Sequence, residues 1–208
     1  MVPTGGGGHD AYLDTVVLRY FMQGVLDPCI PPGERTPTLD PALARMWLAA
    51  VRLVLYAPDR HWQLWLSDVG RRELETFDKN HGWEGWTLSL FEDVDGRADA
   101  PPQEQIADRG QTYLEQLALS RRHAADMTHL AWAASTPWID TFVTNDTKLR
   151  RRARRLAAEL DDEDLQRLRV LDPLQAEQEL AIQPGERPRR RSPAPGNPLA
   201  DHQWWAVG

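Results

Sequence analysis

The stretch WIDTFVTNDTKLRRRARRL, from Trp138 to Leu156, joins a short β-branched run to a helical pattern that is dense in arginine. Its segment IDTFVT has the composition of a buried β-strand, and the segment DTKLRRRARRLAAEL after it predicts a helix. Asp146 lies at the junction between the two. The stretch therefore predicts a strand–helix unit that carries an acid at the carboxyl end of its strand.

The same alternation of strand and helix recurs along the chain. Three further strands are predicted from short apolar runs, at YLDTVVL (Tyr12–Leu18), WQLWL (Trp62–Leu66) and RLRVLDP (Arg167–Pro173). The first is expected to lead into a helix that ends at Gly24, and the second into a helix capped by Ser67 or Asp68. Strands that alternate with helices indicate a parallel sheet. The expected fold class is therefore α/β, with a mostly parallel central sheet flanked by helices.

Prolines, caps and apolar spacing mark the other helices. Asp40 and Pro41 predict the start of a long helix, which Pro58 is expected to end. Residues 104–134 have a strongly helical pattern and predict two helices, separated near Ser120–Ala124.

Composition divides the 208 residues into one domain and two tails. Residues 1–9 are rich in glycine, which predicts a flexible amino terminus. Residues 10–180 are expected to form one domain, with a less regular insertion at about 79–103. Proline, arginine and glycine dominate residues 181–208, which predicts a disordered tail.

The bulk composition excludes several classes of protein. The single cysteine, Cys29, excludes an intramolecular disulfide and a zinc site built from several thiolates. No apolar run approaches the ~18 residues of a membrane span, and the amino terminus lacks the basic region and apolar core of a signal peptide. We therefore expect a cytoplasmic protein without membrane contact. The formal net charge of −7 argues against nonspecific binding to nucleic acid, except where the basic side chains cluster.

Four acids are expected to meet at one edge of the sheet, because ligands collect at the carboxyl ends of parallel strands. They are Asp14, Glu73, Asp126 and Asp146. A carboxylate within an apolar strand is costly unless it is paired or binds a metal, so Asp14 is the most informative of the four. Glu75 competes with Glu73, because residues two apart on a helix face different directions. His129 follows Asp126 by three residues but is expected to be a packed, hydrogen-bonded core residue, since a hard-ion site has little need of imidazole.

These segments together resemble the PIN domain, the nuclease fold of VapC-type toxins in toxin–antitoxin pairs. The resemblance covers roughly residues 10–180. It is carried by YLDTVVL (Tyr12–Leu18), LSDVGRREL (Leu66–Leu74), ADMTHLAWA (Ala125–Ala133), FVTND (Phe142–Asp146) and VLDP (Val170–Pro173). Val16 stands where the family usually has asparagine, and the insertion and the arginine-rich tail also depart from the family pattern.

The resemblance implies a PIN-like α/β/α sandwich that binds Mg²⁺ or Mn²⁺ and hydrolyses RNA phosphodiesters. Asp14 and Asp126 would be the central metal ligands, and Asp146 would bind directly or through water. Thr144 would orient water or phosphate. Glu73, which has the family spacing from Ser67, would bind a second ion or position the attacking water. Hard divalent ions prefer such oxygen ligands and keep several waters. The resemblance further implies a cognate antitoxin and a homodimer.

The arginines from 150 to 155 admit two interpretations, between which the sequence does not choose. In the first, the helix is solvated and pairs with the acids 161–164, each ion pair contributing little. In the second, one or two of these arginines, together with Lys148, contact RNA phosphates beside the acids. The candidates for this contact are Lys148, Arg150 and Arg151.

The leading hypothesis is thus a metal-dependent endoribonuclease, the toxin of a toxin–antitoxin pair. One alternative is a catalytically inactive PIN-like module that binds RNA or protein, and a further alternative is a nuclease specific for DNA structures. The helix around Met46, Trp47, Ala50 and Val51 is compatible with a dimer face as well as with the core.

Overall fold

The computed structural model describes residues 8–21, 41–68, 70–72, 75, 90–183 and 186. Within these residues five strands form one sheet in the order β3-β2-β1-β4-β5, and every pair of neighbours is parallel. The strands are β1 (Asp10–Leu13), β2 (Gln63–Leu66), β3 (Glu92–Asp93), β4 (Thr141–Val143) and β5 (Arg169–Leu171). The predicted α/β class with a parallel central sheet is confirmed.

Helices cover both faces of the sheet. Those with defined bounds are α1 (Pro41–Tyr56), α2 (Gln103–Gln116), α3 (Ala124–Ser135), α4 (Thr147–Glu159), α5 (Glu163–Arg167) and α6 (Pro173–Leu180). Residues 15–21 are also helical, as are residues 68, 70–72 and 75. Short 3₁₀ turns occupy Ala57–Arg60 and Arg121–His123. None of the helices that the structure describes is long and apolar enough to cross a membrane.

The two faces of the sheet bury separate hydrophobic clusters, because successive side chains of a strand point to opposite faces. Ala11 and Leu13 pack into a cluster with α1 and α6. Tyr12 packs into the other, with α2, α3 and α4. In the helix considered as a dimer face, Ala50 and Val51 are buried, while Met46 and Trp47 are half-buried.

The first strand is shorter than predicted and ends before its acid. The apolar run Tyr12–Leu18 was expected to be one strand, but β1 ends at Leu13 and the residues from 15 onward are helical. The Asp14 carbonyl accepts hydrogen bonds from the N–H groups of Val17 (2.9 Å) and Leu18 (3.3 Å), which begins the helix. Burial of Val17 and Leu18 against α1 overrides the strand preference of β-branched residues. Asp14 therefore lies at a strand–helix junction and not inside a strand.

The prediction lacked β3, α5 and α6. The predicted insertion at 79–103 contains β3, which pairs with Trp65 and Leu66 at the edge of the sheet. Helix α6 follows the last strand and begins with a capping box, in which Asp172 and Gln175 each accept a hydrogen bond from the other's backbone N–H. The break between the two helices predicted near Ser120–Ala124 is confirmed, since α2 ends at Gln116 and α3 begins at Ala124.

Candidate metal centre

The candidate site lies where the sheet changes the direction of its strand order. From β1, the strands that come next in the sequence, β2 and β3, are added on one side, and β4 and β5 on the other. A crevice forms at the carboxyl ends of the two strands that flank such a switch point, and ligands of α/β proteins bind there. Asp14 directly follows β1, and Thr144 directly follows β4.

Asp14 is held in one orientation by its neighbours. Its side chain is only 4% exposed. The hydroxyl of Thr144 donates to Oδ2 at 2.5 Å, and that of Thr15 approaches Oδ1 at 3.4 Å. The Asp14 backbone N–H continues the sheet by donating to the Val143 carbonyl at 3.0 Å. A carboxylate so deeply buried needs such partners, because an unpaired buried charge is strongly destabilising.

Thr144 connects the first acid to the fourth. Its hydroxyl proton is directed to Asp14, while the same oxygen accepts the backbone N–H of Asp146 at 3.1 Å. Asp146 in turn caps helix α4, since its Oδ1 accepts the N–H groups of Lys148 (2.6 Å) and Leu149 (3.0 Å). Both capping bonds use one oxygen, so Oδ2 is the Asp146 atom suited to a cation.

Asp126 lies in the first turn of α3. Burial raises the pKa of its carboxyl above the usual range, and the negative charges of Asp146 and Asp14 raise it further. Arg152 and His123 oppose that shift. The three acids therefore act on one another electrostatically, and the site concentrates negative charge that a cation would neutralise.

Glu73 lies outside the described residues. Its competitor Glu75 is described, and its side chain is exposed. The structure thus brings together Asp14, Thr144, Asp146 and Asp126 of the predicted site.

The donor set of these acids fits a hydrated Mg²⁺ or Mn²⁺. Carboxylate oxygens are the ligands that hard divalent ions prefer, and Mg²⁺ usually keeps several waters. The carboxylate oxygens of Asp14, Asp126 and Asp146 do not all lie within 4.8 Å of one another in the part of the chain that the structure describes. An ion held by all three acids would therefore reach some of them through water, which is one of the two modes of binding expected for Asp146.

A second group of acids has carboxylate oxygens within 4.8 Å of one another. One oxygen each of Asp68, Asp93 and Asp95 lies within 4.8 Å of the others, at the carboxyl ends of β2 and β3. Asp95 accepts hydrogen bonds from the Asp68 N–H (2.7 Å) and the Gln103 amide (3.0 Å), and Asp93 pairs with Arg71 (3.1 Å). Exposed acidic groups are common without an ion, and these partners already engage the acids.

This second group was missed because Asp93 and Asp95 fell in the predicted insertion. The signal in the sequence was the segment EDVDG, Glu92 to Gly96, where acids alternate with an apolar residue before a glycine turn. Burial, with the carboxylates of Asp68 and Asp93, raises the pKa of Asp95 to about 6, although its hydrogen bond from the Asp68 N–H acts in the opposite direction.

The arginines of α4 have partners other than the expected acids 161–164. Arg150 pairs with Asp172 at 2.6 Å, Arg152 with Asp126 at 3.3 Å and Arg155 with Glu159 at 2.6 Å. Asp162 and Asp164 pair instead with Arg109. The solvated interpretation was therefore wrong about the partners of these three arginines. Lys148 and Arg151 are exposed, and Arg150 links α4 to the start of α6.

His129 is a buried core residue. It is 6% exposed, and its Nδ1 lies 2.9 Å from the Tyr12 hydroxyl. The expectation that it is packed and hydrogen-bonded is confirmed. Burial raises the pKa of the Tyr12 phenol, and the nearby charges of Asp14 and Asp95 act in the same direction. Tyr12 thus lies beneath both groups of acids.

Comparisons of the chain with protein-family models, with curated proteins and with solved structures found no match. The class that fold and geometry define is an α/β protein with an acidic crevice at the switch point of a parallel sheet. Its function is therefore argued from the site.

Proposed function

We propose that the protein is a metal-dependent endoribonuclease of the PIN class. The observation that carries the proposal is the grouping of Asp14, Asp126 and Asp146 at the switch point, where burial raises the pKa of Asp126 and the charges of Asp146 and Asp14 raise it further. Three elements far apart in the sequence supply these acids: the end of β1, the first turn of α3 and the cap of α4. A structural role does not require acids that repel one another to be gathered in this way.

Asp14, Asp126 and Asp146 would hold Mg²⁺ or Mn²⁺, together with Glu73 as the resemblance implies. A divalent ion bound there supplies a hydroxide nucleophile at neutral pH and stabilises the charge on the phosphoryl oxygens.

The chain's own residues preorganise that site. Thr144 fixes the Asp14 carboxylate through its 2.5 Å hydrogen bond, and burial keeps water from competing for that bond. The cap of α4 fixes the Asp146 carboxylate. Acids held in one geometry bind an ion without the cost of ordering them on binding.

The biological setting follows from the resemblance. We propose an RNA substrate, a cognate antitoxin that covers the acidic crevice, a homodimer and a cytoplasmic location. A small adjacent reading frame encoding a DNA-binding antitoxin would support the toxin assignment.

Cleavage of RNA tests the proposal. Labelled single-stranded RNA is incubated with the full chain in Mg²⁺, in Mn²⁺ and in EDTA, and the products are separated by size. We expect cleavage by the wild type only with metal, and loss of at least about 100-fold in rate for Asp14→Asn and Asp126→Asn, the scale on which removal of electrostatic stabilisation acts. The control is Asp161→Asn, which removes an exposed acid and should leave the rate unchanged. Metal-independent cleavage, or equal rates in all variants, would contradict the proposal.

One observation favours the inactive binding module as a second candidate. The 3.3 Å ion pair between Arg152 and Asp126 places a cation of the chain itself on an expected metal ligand. If RNA binds but is cleaved by neither the wild type nor the variants, this second candidate is the better description.

A further inference from the structure

One arginine of α4 reaches the acidic crevice. Arg152 Nη1 lies 3.3 Å from Asp126 Oδ2. The same guanidinium contacts His123, with Nη1 at 3.5 Å from Nδ1 and Nη2 at 3.2 Å from Nε2. The Arg152 side chain is 18% exposed, so it lies mostly along the protein but still reaches solvent at the site.

The contacts with His123 hold the guanidinium from a second direction. Nη1 and Nη2 each approach one nitrogen of the imidazole ring, and Nη1 also approaches Asp126. A flat, weakly hydrated guanidinium is suited to a mostly buried position of this kind. His123 and Asp126 together keep Arg152 beside the acids.

Two other arginines of α4 are bound to different acids. Arg150 is 15% exposed and bonds to Asp172 at 2.6 Å, and Arg155 bonds to Glu159 on its own helix. Arg152 differs because its acidic partner is an expected metal ligand. A divalent ion held by Asp126 would neutralise the charge that pairs with Arg152, and the guanidinium would then be available to an anion.

We propose that Arg152, which bonds to His123 and Asp126, contacts a phosphate of the RNA substrate beside the metal centre. This inference rests on the proposed function. Arginine matches phosphate geometry through paired N–H donors, and Arg152 forms an ion pair with one of the acids at which the scissile phosphate would lie. The proposal selects one residue from the arginines 150–155, among which the sequence had favoured Arg150 and Arg151.

RNA binding separates this role from a structural one. In an Asp14→Asn background, which prevents cleavage, the affinity of a fluorescein-labelled single-stranded RNA is measured by anisotropy across a series of salt concentrations. We expect Arg152→Gln to weaken binding about tenfold and to lower the slope of log Kd against log salt by about 0.7, the loss of one phosphate contact on a single strand. Arg152→Lys should keep the slope. Arg154→Gln, which removes an exposed charge from the same helix, should change Kd less than about twofold.

Two failures are distinguishable. If the Asp14→Asn parent binds RNA and Arg152→Gln binds it as tightly and with the same slope as Arg154→Gln, the Arg152 inference is overturned while the nuclease proposal stands. If the parent shows no RNA binding and the wild type shows no cleavage, both fail. The thermal midpoint of each variant is recorded, and Arg152→Lys, which retains the charge, decides the case if Arg152→Gln unfolds.

Discussion

Asp14 is a buried acid whose partners come from the adjacent strand end and from the residue after it. Thr144 donates to it and also accepts the Asp146 N–H, so one hydroxyl sets the position of two acids. The sequence placed Asp14 near the carboxyl end of β1 because the acid interrupts an apolar run. The two hydrogen bonds of the Thr144 hydroxyl could not be predicted, because they depend on the register of β1 and β4, which sets Leu13 beside Val143.

Removal of that hydroxyl should be costly. Thr144→Val keeps the shape of the side chain but leaves Asp14 Oδ2 buried without its donor, which costs about 1–3 kcal/mol in the free energy of unfolding. Urea denaturation in the presence of EDTA measures this change in the free energy of unfolding. Thr112→Val, which removes an exposed helix hydroxyl, is the control and should change stability by less than about 0.5 kcal/mol. Equal stability of the two variants would show that Thr144 does not hold Asp14.

The affinity for Mn²⁺ should depend on the positive charge of Arg152. Removing a cation from beside Asp126 favours a second cation there, so Arg152→Gln should bind Mn²⁺ about three- to tenfold more tightly than the wild type. Isothermal titration in low salt measures the affinity, with Arg154→Gln as control. Weaker Mn²⁺ binding in Arg152→Gln would mean that Arg152 supports the metal site and does not compete with it.

At the scale of elements, the strand–helix junctions could be predicted better than the edges of the fold. Asp146 was assigned from its position before helix α4 and Asp126 from its position at the start of α3, and the apolar spacing of both helices is clear in the sequence. By contrast, β3 has only Glu92 and Asp93, too few residues for a pattern of alternation, and it is a strand only because Leu66 and Trp65 lie beside it. Helix α6 depends on its capping box and on packing against α1.

The start of α6 combines a cap and an ion pair in one side chain. Asp172 accepts the Gln175 N–H at 2.9 Å and the Arg150 guanidinium at 2.6 Å. Asp172→Ala removes both and should lower the free energy of unfolding by about 1–2 kcal/mol, while Asp172→Asn keeps a capping oxygen and should cost less. Chemical denaturation of the two variants measures the difference. Identical losses would indicate that the ion pair, and not the cap, stabilises this junction.

The titration of Asp95 should lower the free energy of unfolding as the pH rises. Its pKa is about 6 in the folded chain, above the ordinary value of about 3.9 in an unfolded chain. The folded state therefore binds the proton more tightly, and the stability this provides is present below about pH 4 and lost as the pH rises through about 6. In EDTA, Asp95→Asn should gain stability relative to wild type over this window. A constant difference between the two proteins from pH 4 to 7 would contradict the expected titration.

At the scale of the molecule, the order of strands determines which acids can meet. The chain adds β2 and β3 on one side of β1 and then returns to place β4 on the other. This return brings Asp146 beside Asp14, which lies 132 positions earlier in the chain. Alternating strands and helices predicted the parallel sheet, but they did not reveal that a second acidic group would form at β2 and β3.

Two acidic groups at the same edge of one sheet make Mn²⁺ binding the most direct test of the account. Electron paramagnetic resonance of Mn²⁺ is used to count bound ions in the wild type, Asp14→Asn, Asp126→Asn and Asp93→Asn. We expect saturable binding that is lost in Asp14→Asn and Asp126→Asn and kept in Asp93→Asn. Binding that survives Asp14→Asn and Asp126→Asn but disappears in Asp93→Asn would place the ion at Asp68, Asp93 and Asp95, and would contradict the assignment of the metal centre to the switch point.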